Sequence, residues 1–235
     1  MLTAISWLWA QPGGRTTYAA RHVNAWAAMV RRHLTLEHEI AVVTDMPAGI
    51  DPGIRIIPPP GDFEDVRLPT WGARKPQCLR RLAMFERSAA DWLHAERVVS
   101  MDLDCVIADS LDPLFDTDDD FRIAKGTATS RRYNGSLMML RLGARPQVFD
   151  TFTREKAVLA GLKHLGSDQA WIASAIPNEK TWGAADGVRF WTPTRRVTEA
   201  RVVFFAGAVG KPWEVDDPLV ARHYPAMERG AHVDA

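Results

Sequence analysis

The segment Arg97 to Ile107, RVVSMDLDCVI, opens as an apolar strand and then places Asp102 and Asp104 one residue apart before apolar character resumes. Like charges this close repel and are costly to strip of water, so something must compensate them. In extended backbone, residues i and i+2 point to the same side, about 7 Å apart. A slight bend at the strand end then brings both carboxylates within reach of one divalent cation, directly or through water. Mg²⁺ and Mn²⁺ prefer oxygen ligands and are commonly completed by substrate phosphates. The carboxyl end of a strand in an open α/β sheet is also where ligands bind. A pair of acids capping a turn is the alternative reading.

The flanking sequence supplies such a sheet. Residues 4–10 (AISWLWA) read as a strand broken by Pro12-Gly13-Gly14, and a helix runs from about Thr17 to His33 with Tyr18, His22, Ala25 and Met29 on one face. Strands follow at 39–44 and 54–57, then a loop over 58–76 that holds five prolines. A helix over 77–93 lines up Leu82, Phe85, Ala89 and Trp92 and leads into the strand 97–101. The second half reads as a strand at 134–140, helices near 146–162 and 168–175, and short strands near 188–191 and 201–205. This is an α/β chain with a mixed, mostly parallel sheet flanked by helices. It reads as one domain over 1–235: a nucleotide-binding half, 1–115, ending in the Asp pair, and a second half, 116–235.

At 46% hydrophobic residues in 235, a full core is expected, and zero net charge argues against a dedicated nucleic-acid surface. The Arg pairs at 31–32, 80–81, 131–132 and 195–196 suit solvated faces, or a local anionic partner. Cys78 and Cys105 are too few for a disulfide framework and are expected reduced and buried. The apolar N-terminal stretch is too short to span a membrane and has no basic region before it, so a soluble cytoplasmic protein is expected. Asp116, Asp118, Asp119 and Asp120 lack the glycine and closing glutamate of a calcium loop and read as a solvated turn.

Four stretches, in order, resemble one family. They are the apolar strand with Asp-x-Asp and DSLDPLF, then YNGSLMMLRLG (133–143), GSDQAWI (166–172) and VVFFAGAVGKPW (202–213). Together they resemble glycosyltransferase family 8, the glycogenin-like enzymes of the GT-A fold. That resemblance implies a Rossmann-like GT-A domain, a UDP-sugar donor, Mn²⁺ or Mg²⁺, and transfer with retention to an acceptor that the sequence does not identify. The donor-binding set it implies is Tyr18, Arg81, Asp102, Leu103, Asn134, Gly207, Gly210 and Lys211. Asp168 and Gln169 are the implied catalytic pair, with Gln169 near the anomeric carbon.

Each of these residues also has a plain structural reading. Lys211 offers a point charge to a diphosphate and is expected to be an exposed loop lysine whose loss leaves the fold intact. Gly207 and Gly210 allow backbone amides to approach phosphate oxygens. Asn134 also suits a turn, Asp168 a helix N-terminus, Tyr18 the core face of its helix, and Trp213 either a pocket wall or the core. Arg80, next to Arg81, competes for the donor-contacting role. The family's late metal-binding histidine is replaced by Phe204, which cannot ligate, and one extra residue precedes Lys211. His223 is the nearest downstream substitute, so the expected metal set is Asp102, Asp104 and His223. Two other functions remain open: a sugar-phosphate nucleotidyltransferase using GGRTT, although the first lysine is Lys75, and a non-catalytic binder of nucleotide sugars or polyanions.

Overall fold

A computed structural model describes residues 1–11, 16–72 and 77–225. The expected breaker Pro12-Gly13-Gly14, most of GGRTT, and Lys75 lie outside the described residues. The first half contains β1 (Leu2–Leu8), α1 (Ala20–His33), β2 (His38–Thr44) and β3 (Arg55–Ile57), then α2 (Ala89–Leu93) and β4 (Arg97–Met101). Next come β5 (Cys105–Ile107), α3 (Asp112–Phe115), β6 (Phe121–Ala128), β7 (Arg131–Arg141), α4 (Gln147–Asp150), α5 (Arg154–Lys163) and α6 (Asp168–Ala175). The chain continues through β8 (Lys180–Trp182), β9 (Val188–Phe190), β10 (Val202–Phe204) and α7 (Pro218–His223).

The main sheet has seven strands in the order β3-β2-β1-β4-β7-β6-β8. The four strands from β3 to β4 are parallel, β7 runs against both β4 and β6, and β8 is parallel to β6. All seven residues of β1 are buried, as expected of a parallel strand covered on both faces. Side chains alternate between two cores. Leu2, Ala4, Leu8, Val99 and Met139 face α1, whereas Ile5, Trp7, Val98 and Met138 face α4, α5 and α6. Two polar groups of this centre are paired: Ser6 donates to the Met101 carbonyl and the Trp7 indole to Ser100. The chain leaves β1 for β2 on one side while β4 lies on the other, so a crevice opens at their carboxyl ends.

Two sequence expectations change. The helix read over 77–93 is a 3₁₀ segment, Leu79–Phe85, followed by the short α2. Its apolar spacing is real, but Arg80 and Arg81 are both buried and anchored in different directions, which the tighter three-residue turn permits. β6 and β8 were not legible as strands. β6 carries Arg122, Lys125 and Gly126, and its pairing with β7 shifts register twice. The acidic stretch 116–120 is a turn as expected, with Asp119 paired to Lys180 and Asp120 to Arg141.

A second sheet, in the order β5-β10-β9, stands beside the first. β10 runs antiparallel to β5, setting Phe204 opposite Cys105. The strand that follows the Asp pair is therefore laced to the late part of the chain.

Candidate active site

β4 ends at Met101, and Asp102, Leu103 and Asp104 follow at the crevice, where the Asp102 amide donates to the Ser136 carbonyl of β7. A cleft of about 310 Å³ opens there. Among its lining residues are Tyr18, Arg81, Asp102, Leu103, Asp104, Asn134, Asp168, Gln169, Gly207 and Lys211. Residues spread over almost two hundred positions thus meet in one cavity. The capping reading of the Asp pair is not the arrangement observed.

Arg81 organises one wall. Its Nη1 donates to Asp102 Oδ1 at 2.6 Å and to the Gly135 carbonyl at 3.0 Å, while Nε and Nη2 hold Asp168 Oδ2 at 2.9 and 2.6 Å. Burial works against charge on Arg81, but Asp168 and Asp102 outweigh it and keep the guanidinium protonated. Gly135 leaves room for this: a Cβ there would come within 2.7 Å of Arg81 Nη2. Arg80 turns the other way, over Trp9 and toward Asp45 and Glu64. Of the two arginines, Arg81 is the one among the residues lining the cleft.

Lys211 organises the opposite wall. Its Nζ pairs with Asp104 Oδ2 and donates to the carbonyls of Phe205, at 3.0 Å, and Gly207, at 3.5 Å. The Tyr18 hydroxyl donates to the same Asp104 oxygen at 3.1 Å. Lys211 is 4% exposed, so the expectation of an exposed loop lysine is wrong: the loop after β10 folds its ammonium inward onto a buried carboxylate. Burial raises the Asp104 pKa despite Lys211, and it raises that of Asp168 despite Arg81.

Gln169 is held at both ends. Its Oε1 accepts from the Gly135 amide at 3.1 Å and its Nε2 donates to the Leu165 carbonyl at 2.8 Å. Asn134 Oδ1 accepts from the Ser136 amide. Asp168 meets the cleft as the partner of Arg81. Ser167, Cys78, Ser6, Ser136 and Arg131 also line the cleft and were not picked out from sequence. Ser167 stands beside Asp168 in GSDQAWI, and its Oγ accepts from the Cys78 amide. The motif was a signal for Ser167; nothing marked Cys78.

Several expected residues are placed elsewhere. His223 lies near His33 at the far end of α1, its ring tilted to that of His33 and its carbonyl facing Arg32, and does not line the cleft, so it is not brought to Asp102 and Asp104. Gly210 adopts a left-handed φ of 103° against Val215 and Trp191 and is also not among the lining residues. Phe204 is fully buried against Phe190 rather than facing the cleft. Trp213 lies behind Tyr18, 5.8 Å from its ring and 4.2 Å from His22. With Trp213 and His22 against its edges, Tyr18 serves the cleft mainly through its hydroxyl.

Three carboxylates line this cleft, Asp102, Asp104 and Asp168, and Arg81 and Lys211 pair with them. Among the described residues, Asp102 Oδ2 and Asp104 Oδ1 carry no hydrogen bond, and no cluster of three or more His, Cys, Asp or Glu is arranged to hold a metal. These residues fit a divalent cation held by two carboxylates and completed by ligand oxygens, without a third protein ligand.

No family model and no curated protein matches the chain. Solved structures do. The galactosyltransferase LgtC, in complex with donor and acceptor sugar analogs, matches with a TM-score of 0.58 at 16% identity over 96% of this chain and 98% of its own. The glycosyltransferase GlyE of Streptococcus pneumoniae matches at 0.54 and 13% identity, over 92% of this chain and 58% of its own. The bifunctional glycosyltransferase WbbM matches at 0.53 and 12% identity, over 90% of this chain and 46% of its own. The chain has the GT-A fold of these glycosyltransferases.

Proposed function

We propose that this protein transfers a glycosyl group from a nucleoside-diphosphate sugar, a UDP-sugar foremost, to an acceptor hydroxyl with retention of configuration. The carrying observation is the convergence of Asp102, Asp104, Arg81 and Lys211 on one cleft at the β1–β4 crevice. Lys211 sets a positive charge at the cleft floor, where charge grows on a departing diphosphate. When bound, Mn²⁺ or Mg²⁺ on Asp102 and Asp104 supplies further positive charge to those oxygens. Arg81 holds Asp102 and Asp168 in place, and Asn134 and the fixed amide of Gln169 offer polar groups to the sugar. The stereochemical course is assigned by analogy with the family that the motifs resemble. No described helix is long and apolar enough to cross a membrane. We assign the activity to the cytoplasm, which the free thiols of Cys78 and Cys105 support.

A thermal-shift screen of nucleotide sugars, with and without Mn²⁺, tests the reading. A donor at about 100 times its Kd stabilises the folded state by about 2.7 kcal/mol. Hydrolysis of the same donor then separates an enzyme from a binder. The absence of any shift with every nucleotide sugar would overturn the proposal.

A further inference from the structure

The rim of the cleft continues onto an unusual surface. On α5 and just after it, Leu159, Leu162 and Leu165 are 65%, 73% and 44% exposed. Leu159 and Leu162 are three residues apart on one helix face, while Ala157 and Ala160 pack inward. Exposed single leucines are ordinary, but three in a row beside a cavity mark a contact surface. This row meets the cleft at two points. Leu165 precedes Gly166, which lines the cavity. On the other side Thr70 packs against Gly161 of α5, and its neighbour Trp71 also lines the cavity.

Cations surround the leucines. Arg154, Lys156 and Lys163 lie on α5 with Glu155 as its only acid. Arg131 and Arg132 open β7, and the Leu165 amide donates to the Ser130 carbonyl just before them. Lys163 and Arg132 both press on buried His164, which together with burial lowers its proton affinity. Elsewhere in this neutral chain Arg55, Arg80, Arg81, Arg87, Arg122, Arg141, Arg145 and Arg201 have carboxylate partners. Among the described residues, none of Arg131, Arg132, Arg154, Lys156 and Lys163 lies within ion-pair distance of a carboxylate. Exposed leucines on a helix that also carries Arg154, Lys156 and Lys163 are the chemistry of an anionic lipid surface.

We propose that the α5 face docks the protein on an anionic lipid bilayer, with the mouth of the cleft turned toward a lipid-borne acceptor. The leucines enter the headgroup boundary while the cations meet lipid phosphates. The acceptor half of this proposal rests on the transferase reading; the docking half does not.

The test is co-sedimentation with vesicles of phosphatidylglycerol and phosphatidylcholine, or of phosphatidylcholine alone, beside a donor thermal shift on the same samples. The expected result is binding to the anionic vesicles, weakened by salt, and at least about tenfold weaker on neutral ones. Leu159→Asp with Leu162→Asp should lower vesicle binding about tenfold or more, with melting temperature and donor shift unchanged, since both side chains are solvent-exposed. Equal binding by parent and variant, equal binding to both vesicle types, or no binding overturns the docking. So does loss of parent self-association in the variant without vesicle binding, which makes the face a contact between copies. Failure of the donor shift alone strikes the transferase reading and leaves the docking standing.

Discussion

The two walls of the cleft solve one problem in different ways. On the Asp102 side, a guanidinium is locked by two carboxylates and a backbone carbonyl, all on rigid elements of the main sheet and α6. On the Asp104 side, the compensating charge is a buried lysine ammonium supplied by the loop after β10 and held by Asp104 and two backbone carbonyls. A planar fork fixes geometry, and a lysine delivers a point charge on a long stem. The Arg81 wall is therefore a scaffold, and the Lys211 wall is closed by a point charge brought in on a loop.

The sharpest way to break this contrast is Arg81→Ala. It strands the buried Asp168 and the partly exposed Asp102, so unfolding free energy should fall by about 3–5 kcal/mol in chemical denaturation, with donor binding lost. If the variant keeps its stability, the scaffold assignment fails. Lys211→Ala should cost less, about 2–3 kcal/mol, because Asp104 can take up a proton in the lysine's absence. Adding Asp104→Asn should restore most of that stability without restoring the diphosphate affinity. A double variant that also recovers donor binding would remove Lys211 from the ligand site.

A smaller effect sits behind the Lys211 wall. His22 is buried against Trp213, its Nδ1 accepts the Ala19 amide at 2.8 Å, and burial lowers its pKa to about 4. The unfolded chain takes up this proton near the ordinary value of about 6.5, the folded protein only near 4. Stability is thus full above pH 6.5 and falls as pH drops toward 4, by roughly 2–3 kcal/mol. Denaturation of His22→Gln over that window should show a flatter profile; an unchanged slope would clear His22 of the role. The smallest expected effect belongs to His223→Ala: Mn²⁺ and donor affinity equal to the parent, and stability within about 0.5 kcal/mol. A loss of metal affinity would return His223 to the site.

Legibility follows the same division. β1, β2, β4 and β7 were readable because central strands are apolar runs buried on both faces. β6, at the less regular side of the sheet, hides its pattern behind Arg122, Lys125 and Gly126. The 3₁₀ turn at Leu79–Phe85 could not be told from a helix, since its apolar spacing satisfies both. Within the site, Asp102, Asp104, Asp168 and Gln169 were legible through local motifs. The partners of the two acids were not: Arg81 lies 21 residues from Asp102 and Lys211 lies 107 from Asp104. The compensation was sought in a bound cation, and the chain supplies much of it.

That separation of 107 residues has a consequence for how the protein comes into being. The Phe205 amide closes on the Asp104 carbonyl, and β10 zips onto β5, only once the chain has been made past residue 205, into its last seventh. Contacts of such sequence distance carry a large loop-closure cost and form late. A ribosome-bound chain ending near residue 195 therefore has the strands that carry the Asp pair but no lysine to settle it. In hydrogen exchange on the finished protein, the amides of 202–205 should open more readily than those of β1 and β4. The Lys211 wall of the cleft is thus expected to be built after the Arg81 wall and to loosen before it.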